Sequence, residues 1–272
     1  MTQELLIAEP EAAIRSRARR RTVAQLMRKA TLPIVTAALL LSIWEVFVDV
    51  SGIRPVLLPA PSGILRAVWV HRDLLIENAI PTTLESIGGF ALSVVLGGLL
   101  GVLLTYSSLA REALYPNVIL FQLIPKVAVA PLFILWLGIG WESRLAIALF
   151  VAFFPIVIST VSGLRAADPA ILRLCDSLAA TRWQVFLKIR LPYSLPFLFN
   201  GMKISMTLAI IGVIVGEFIT SQRGLGYIIL FAGSRLETTT VIATLLVLCA
   251  VGLILYGLVA LAEMMIMKKY GD

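Results

Sequence analysis

The sequence predicts an all-α polytopic membrane protein. Six transmembrane helices cross with both termini in the cytoplasm, and a helical cytoplasmic loop joins spans four and five. Composition, apolar segment length and charge distribution carry this reading. Of the 272 residues, 59% are hydrophobic and the mean hydropathy is +0.96, outside the range of soluble domains. A helical span takes about 20 mostly apolar residues. Residues 32–50, 82–105, 114–137, 144–164, 196–220 and 239–266 meet that requirement. With the N-terminus inside, 16 of the 23 Lys and Arg fall in cytoplasmic segments, six fall on the opposite side (Arg54, Arg66, Arg72, Arg144, Arg223 and Arg235), and Lys126 falls within a span. Such asymmetry fixes an N-in, C-in orientation. The net charge of +7 then records orientation rather than nucleic-acid binding.

Residues 1–31 read as a cytoplasmic arm whose arginines, Arg15 to Arg21 above all, suit an anionic lipid surface. The long arm before the first apolar run argues against a cleaved signal peptide. Residues 32–272 read as a single membrane domain. Glu45, near the outer end of span one, is expected to be paired or to snorkel. LLPAPSGIL in the following outer segment predicts an ordered turn before a short helix, and His71 is the one histidine, which makes no metal site. Gly97, Gly98 and Gly101 give span two a small-residue face suited to close helix packing.

Span three is the least regular. Pro125 and Pro131 each remove a helical hydrogen bond, and Lys126 beside them puts an ammonium at mid-depth, an expensive placement that marks a candidate for the translocation path. Pairing with a buried carboxylate is the alternative. Pro155 predicts a kink in span four. Glu217, toward the outer end of span five, has three readings: pairing with Arg144, lining an outer gate, or facing water. The GLGY run at Gly224–Tyr227 follows no strand, so it reads as an outer re-entrant turn or gate rather than a phosphate loop. Cys175 and Cys249 lie in a loop and a span and form no disulfide framework.

The coupling loop, residues 165–195, is polar yet ordered. Asp168 and Pro169 are a helix start, as N-cap and first helical residue. Ile171, Leu172, Cys175, Leu178 and Ala179 form an apolar stripe at helical spacing, which Trp183, Phe186, Leu187 and Leu191 continue. Pro192 and Pro196 are expected to close the unit, and Arg173, Arg182, Lys188 and Arg190 leave a basic opposite side. From the residues alone, the stripe docks on a partner or lies in the lipid headgroups.

The same loop resembles that of ABC-importer permeases, whose pattern is Glu-Ala-Ala, three residues, Gly, nine residues, Ile, one residue, Leu-Pro. Ile189, Leu191 and Pro192 match its end. The glycine position falls on Ala179, and the triplet falls on Arg173, Leu174 and Cys175. Together with PKVAVAPLFILWLGIG, AFFPIVISTVSGLRAADP and GEFITSQRGLGYIIL, the match is similar to the binding-protein-dependent type I branch for nitrate, sulfonate and taurine, which includes pyrimidine-precursor transporters. The resemblance implies a permease subunit and a loop, Asp168 to Pro192, that docks on a separate ATPase. Trp183 and Phe186 would be the core of that dock, Arg173 and Arg182 its rim, and an acidic ATPase residue would complement Arg173. The implied partners are a second copy of this chain, two cytoplasmic ABC ATPase subunits and an extracytoplasmic solute-binding protein. ATP and magnesium would be bound by the ATPase, with no cofactor in this chain. No Walker A sequence, metal-ligand cluster or catalytic constellation is present, so no catalytic residue is assigned. The absence of an internal repeat favours two copies around one path. A passive channel or scaffold, with the loop as an adaptor, is the alternative.

Overall fold

A computed structural model of the chain describes residues 11–220 and 222–270, with side chains from residue 31 onward. Expectations for the side chains of the arm, the Arg15–Arg21 run included, lie outside the described residues. Every described regular element is helical: α1 (Glu11–Ser51), α2 (Pro61–Val70), α3 (Arg72–Tyr106), α4 (Ser108–Leu123), α5 (Lys126–Leu137), α6 (Trp141–Arg165), α7 (Pro169–Ser177), α8 (Arg182–Val185), α9 (Leu191–Thr220), α10 (Leu225–Ser234) and α11 (Thr238–Tyr270). A π-helical turn, Phe186–Arg190, joins α8 to α9. Contacts divide the chain into two units, residues 1–64 and 65–272.

In the first unit α1 carries an apolar stretch, Thr31–Ser51, long enough to cross a membrane. Gly52, at φ +59°, ends it in the left-handed conformation that glycine adopts without a Cβ penalty. Glu45 is paired, as expected. Its carboxylate accepts from the Ser62 backbone N–H at 2.9 Å and the Ser62 hydroxyl at 2.5 Å, which caps the start of α2.

The second unit is organised around α6, which packs along α9 on one side and α3 on the other. Small residues let the backbones approach. On α3 the seam runs through Gly89, Ser93, Gly97 and Gly101, four residues apart. A Cβ at Gly97 would lie 3.0 Å from Ile156, and one at Gly101 would lie 2.5 Å from Thr160. Ser93 bridges the seam by donating to the Leu149 carbonyl at 3.2 Å. On α9 a Cβ at Gly212 would lie 2.7 Å from the Ala148 backbone, and Ser205 donates to the Ala152 carbonyl at 2.7 Å. Lipid tails are as apolar as leucine, so association depends on such close packing and interhelical hydrogen bonds. Gly98 does not belong to the seam: an added Cβ there meets nothing within 4 Å. It is one position, about 100°, off the Gly97–Gly101 stripe.

Among the described residues five helices are long and apolar enough to span a membrane, and a sixth span exists only if the pair α4 and α5 counts as one, since they meet at 102°. The predicted irregularity of span three is therefore a full break. Ile124 precedes a proline and is extended at ψ 131°, and Pro125 follows at ψ 100°, so two successive residues leave helical geometry. Pro131 and Pro155, by contrast, sit inside unbroken helices. The expectation that Pro192 and Pro196 close the loop unit is also corrected. Both lie within α9, and Arg182–Thr220 runs as a continuous 39-residue helical segment. The π-turn absorbs the defect: the Leu191 N–H reaches back five residues to the Phe186 carbonyl, just before Pro192 withholds its own donor.

Candidate functional site

Three constellations stand out: the loop at the junction of α6 and α9, the break between α4 and α5, and a buried polar network under α10.

The loop starts where the sequence predicts. Asp168 accepts from the Ala170 N–H at 2.7 Å with Pro169 at the first helical position. At its other end α7 closes in a Schellman motif: Ala180 N–H bonds the Cys175 carbonyl at 3.0 Å and Ala179 N–H bonds the Asp176 carbonyl at 3.1 Å. Ala179 occupies the left-handed position at φ +50°. A side chain there costs about 1–2 kcal/mol relative to glycine, so Ala179→Gly is expected to stabilise the loop by about 1 kcal/mol, read as greater hydrogen-exchange protection of α7. Unchanged protection would mean the turn relaxes in solution. A capping box restarts the helix, with Thr181 N–H bonding Gln184 Oε1 at 2.8 Å and Gln184 N–H bonding Thr181 Oγ1 at 3.3 Å.

The second half of the loop is anchored to the bundle. Phe186 meets the Tyr106 ring edge-on at 6.1 Å. Arg190 stands 5.6 Å over the same ring and donates to the Leu164 carbonyl at 3.1 Å, satisfying a C-terminal carbonyl of α6. Arg190 is thus a staple rather than part of a free basic side. Trp183 stacks on Phe186 at 5.5 Å but stays 67% exposed. Leu174 and Leu178, at 58% and 72% exposed, add to the open apolar face, with Arg173 and Arg182 exposed beside it. Ile171, Leu172, Cys175, Leu191 and Pro192 are half-buried, so the predicted stripe divides into an anchoring side and an outward side. A cleft of ≈ 440 Å³ separates the loop from the end of α3, lined by Tyr106, Leu172, Asp176, Arg182 and Arg190 among others.

At the break, Pro125 and Pro131 flank the first turn of α5 and are exposed. Lys126 is half-buried, and its Nζ lies 5.6 Å over the Phe154 ring. Among the described residues no carboxylate comes within ion-pair distance of it.

Glu217 does not pair with Arg144 and does not face water; it is 1% exposed. Its carboxylate accepts from the Thr82 hydroxyl at 2.6 Å and the Gly226 N–H at 2.7 Å. Asn78 accepts from the Gly224 N–H at 2.8 Å and Thr82 from the Leu225 N–H at 2.9 Å. Three side chains from α3 and α9 therefore satisfy the first donors of α10 and place a carboxylate at its N-terminus. GLGY supplies what this needs: Gly224 has φ +108°, and a Cβ at Gly226 would lie 2.8 Å from Glu217 Oε2. Arg144 is held elsewhere, by Glu85, at 2.7 and 2.5 Å in a bidentate pair. Sequence reasoning missed Asn78, Thr82 and Glu85, although polar residues at i, i+4 and i+7 on one face of a membrane helix were the available signal. Glu217→Ala is expected to cost about 2–3 kcal/mol, because it strands buried donors, and to expose α10 to protease. Retained protease resistance of α10 would refute the cap.

Among the described residues no group of three His, Cys, Asp or Glu is placed to hold a metal. Residues 93–265 match the family described as binding-protein-dependent transport system inner membrane component. The formylaminopyrimidine transport permease of Halalkalibacterium halodurans is 33% identical over 83% of this chain and 90% of its own length. The taurine transport system permease of Escherichia coli is 30% identical over 85% of this chain and 86% of its own. In fold, the chain is similar to one from the methionine ABC transporter MetNI in an inward-facing conformation, with TM-score 0.62 and 21% identity over 74% of this chain and 97% of that one.

Proposed function

The chain belongs to the inner membrane components of binding-protein-dependent transport systems, an ABC-importer permease of the taurine, sulfonate and pyrimidine-precursor branch, and we propose that its loop couples solute movement to a separate ATPase. The observation that carries this is the continuous Arg182–Thr220 helix, which joins the exposed Trp183 to the packed core of the bundle. A push on the loop moves α9, and through the close α6–α9 seam it moves α6. Packed helices transmit such displacement because their interfaces are dense and resist compression.

In the working complex, residues 32–272 act as one permease domain in an N-in, C-in orientation, with residues 1–31 as a cytoplasmic arm. Two copies form the path. Two ATPase subunits bind ATP and magnesium, receive the loops in grooves and draw them together as they close. An extracytoplasmic binding protein delivers the solute, a small polar molecule of the taurine, sulfonate or pyrimidine-precursor type. Pro125, Lys126 and Pro131 border the path at the α4–α5 break, whereas Glu217 braces the outer turn.

The test is reconstitution of this chain with the ATPase and binding protein encoded beside it. Vanadate-sensitive ATP hydrolysis stimulated by the loaded binding protein is the expected result. If no ATPase co-purifies and no ATP-dependent uptake is measured, the chain is a channel or scaffold instead.

A further inference from the structure

The inference concerns Lys126 and rests on the permease reading above. Lys126 opens α5 at the 102° break, and its ammonium sits over the ring of Phe154. Phe154 lies near the middle of α6, which runs from Trp141 to Arg165. At about 1.5 Å per residue Phe154 is some 17–20 Å along the helix from either end, so the ammonium over its ring stands near mid-span. A lysine side chain is too short to snorkel to an interface about 15 Å away, and this one points toward the ring instead. The ring face attracts the charge, and among the described residues no acceptor meets its three N–H donors.

An ammonium at this depth cannot rest against hydrocarbon without a large penalty. The residues beside it are bare in the single chain, with Leu123 73% and Val127 62% exposed. A wet path between two copies of the chain accounts for both observations. We propose that Lys126 lines this path and is the contact that receives an anionic group, such as a sulfonate or carboxylate, on the solute crossing mid-membrane. Two copies bring two such ammonium groups to one path. Their mutual repulsion is relieved when an anion enters, and the same charge rejects cations. Phe154 gives each ammonium an alternative resting place, so the anion is met and released rather than trapped.

The experiment uses the assembled transporter in nanodiscs, in a Cys175→Ser, Cys249→Ser background carrying Leu123→Cys. The probes are two thiol reagents of similar size, an anionic ethylsulfonate and a cationic ethyltrimethylammonium methanethiosulfonate. The ratio of anionic to cationic labelling rates is expected to fall at least about tenfold in Lys126→Gln, as the loss of positive charge beside the thiol requires, and to persist in Lys126→Arg. Methanesulfonate should slow labelling by neutral N-ethylmaleimide only when Lys126 is present, and uncharged dimethyl sulfone should not. An unchanged ratio overturns the proposal, as does a Leu123→Cys thiol that no aqueous reagent reaches at any stage of the ATP cycle. Binding-protein-stimulated hydrolysis by the Leu123→Cys parent separates the two readings. If it is present while the ratio is unchanged, only the anion contact is lost; if it is absent, the permease reading fails.

Discussion

Arg144→Ala and Glu85→Ala are each expected to destabilise the bundle by about 3–5 kcal/mol, since each leaves one buried charge without its partner. The pair joins α3 to α6 through two parallel hydrogen bonds of 2.7 and 2.5 Å, and its side chains are 13% and 11% exposed. Water cannot readily replace a missing partner there. The Arg144 stem also lies against α9, where a Cβ on Gly216 would come 2.8 Å from Arg144 Cγ. Removing Arg144 therefore opens a packing defect as well as an electrostatic one. Thermal unfolding of the purified protein in one detergent measures both variants. The double variant Glu85→Leu, Arg144→Met should recover most of the loss, because a buried pair exchanged for apolar groups of similar volume is often nearly neutral. A loss below about 1 kcal/mol in the single variants, the range of exposed ion pairs, would mean that water reaches the pair.

The features written in local chemistry were legible in the sequence. Asp168 and Pro169 start α7 because a carboxylate cap and a residue with no N–H to satisfy act within one turn. Apolar runs marked the membrane helices, although the run at 114–137 is broken into α4 and α5, and Gly97 and Gly101 lie in a close helix seam as their spacing predicts. What failed depended on pairings across long separations. Pairing with Arg144 was one of three sequence readings of Glu217, and none of them included Glu85, which lies 59 residues from Arg144 and holds it. Glu217 had three readings from sequence, a partner of Arg144, a gate residue or a group facing water; only the approach of Asn78, Thr82 and the Gly226 N–H shows it to cap α10. Proline was over-read. Among the described residues seven prolines, at 33, 81, 116, 131, 155, 192 and 196, lie inside helices. A single proline ends a helix only when its predecessor also leaves helical geometry, as Ile124 does. The loop between α6 and α9 was legible as an amphipathic unit, but its division into anchor and open face was not, because Tyr106 and Leu164 come from other helices.

That division gives the second large effect. Trp183→Ala is expected to weaken the complex with the ATPase by at least about 2 kcal/mol, roughly thirtyfold, as truncation of a central interface tryptophan does. It should also abolish binding-protein-stimulated hydrolysis. The thermal stability of the isolated chain should change by less than about 0.5 kcal/mol, since Trp183 touches little of its own fold and exposed substitutions seldom do more. Phe186→Ala should behave differently. Phe186 lies between Trp183 and Tyr106, so its loss frees the tryptophan from its platform and the loop from α3. Both stability and coupling then fall. Measuring co-purification, hydrolysis and unfolding on the same two variants distinguishes a dock from a buttress. If Trp183→Ala unfolds the loop as Phe186→Ala does, the tryptophan is a structural residue. If it leaves hydrolysis intact, the ATPase grips the loop elsewhere, with the exposed Leu174 and Leu178 as the remaining apolar contacts.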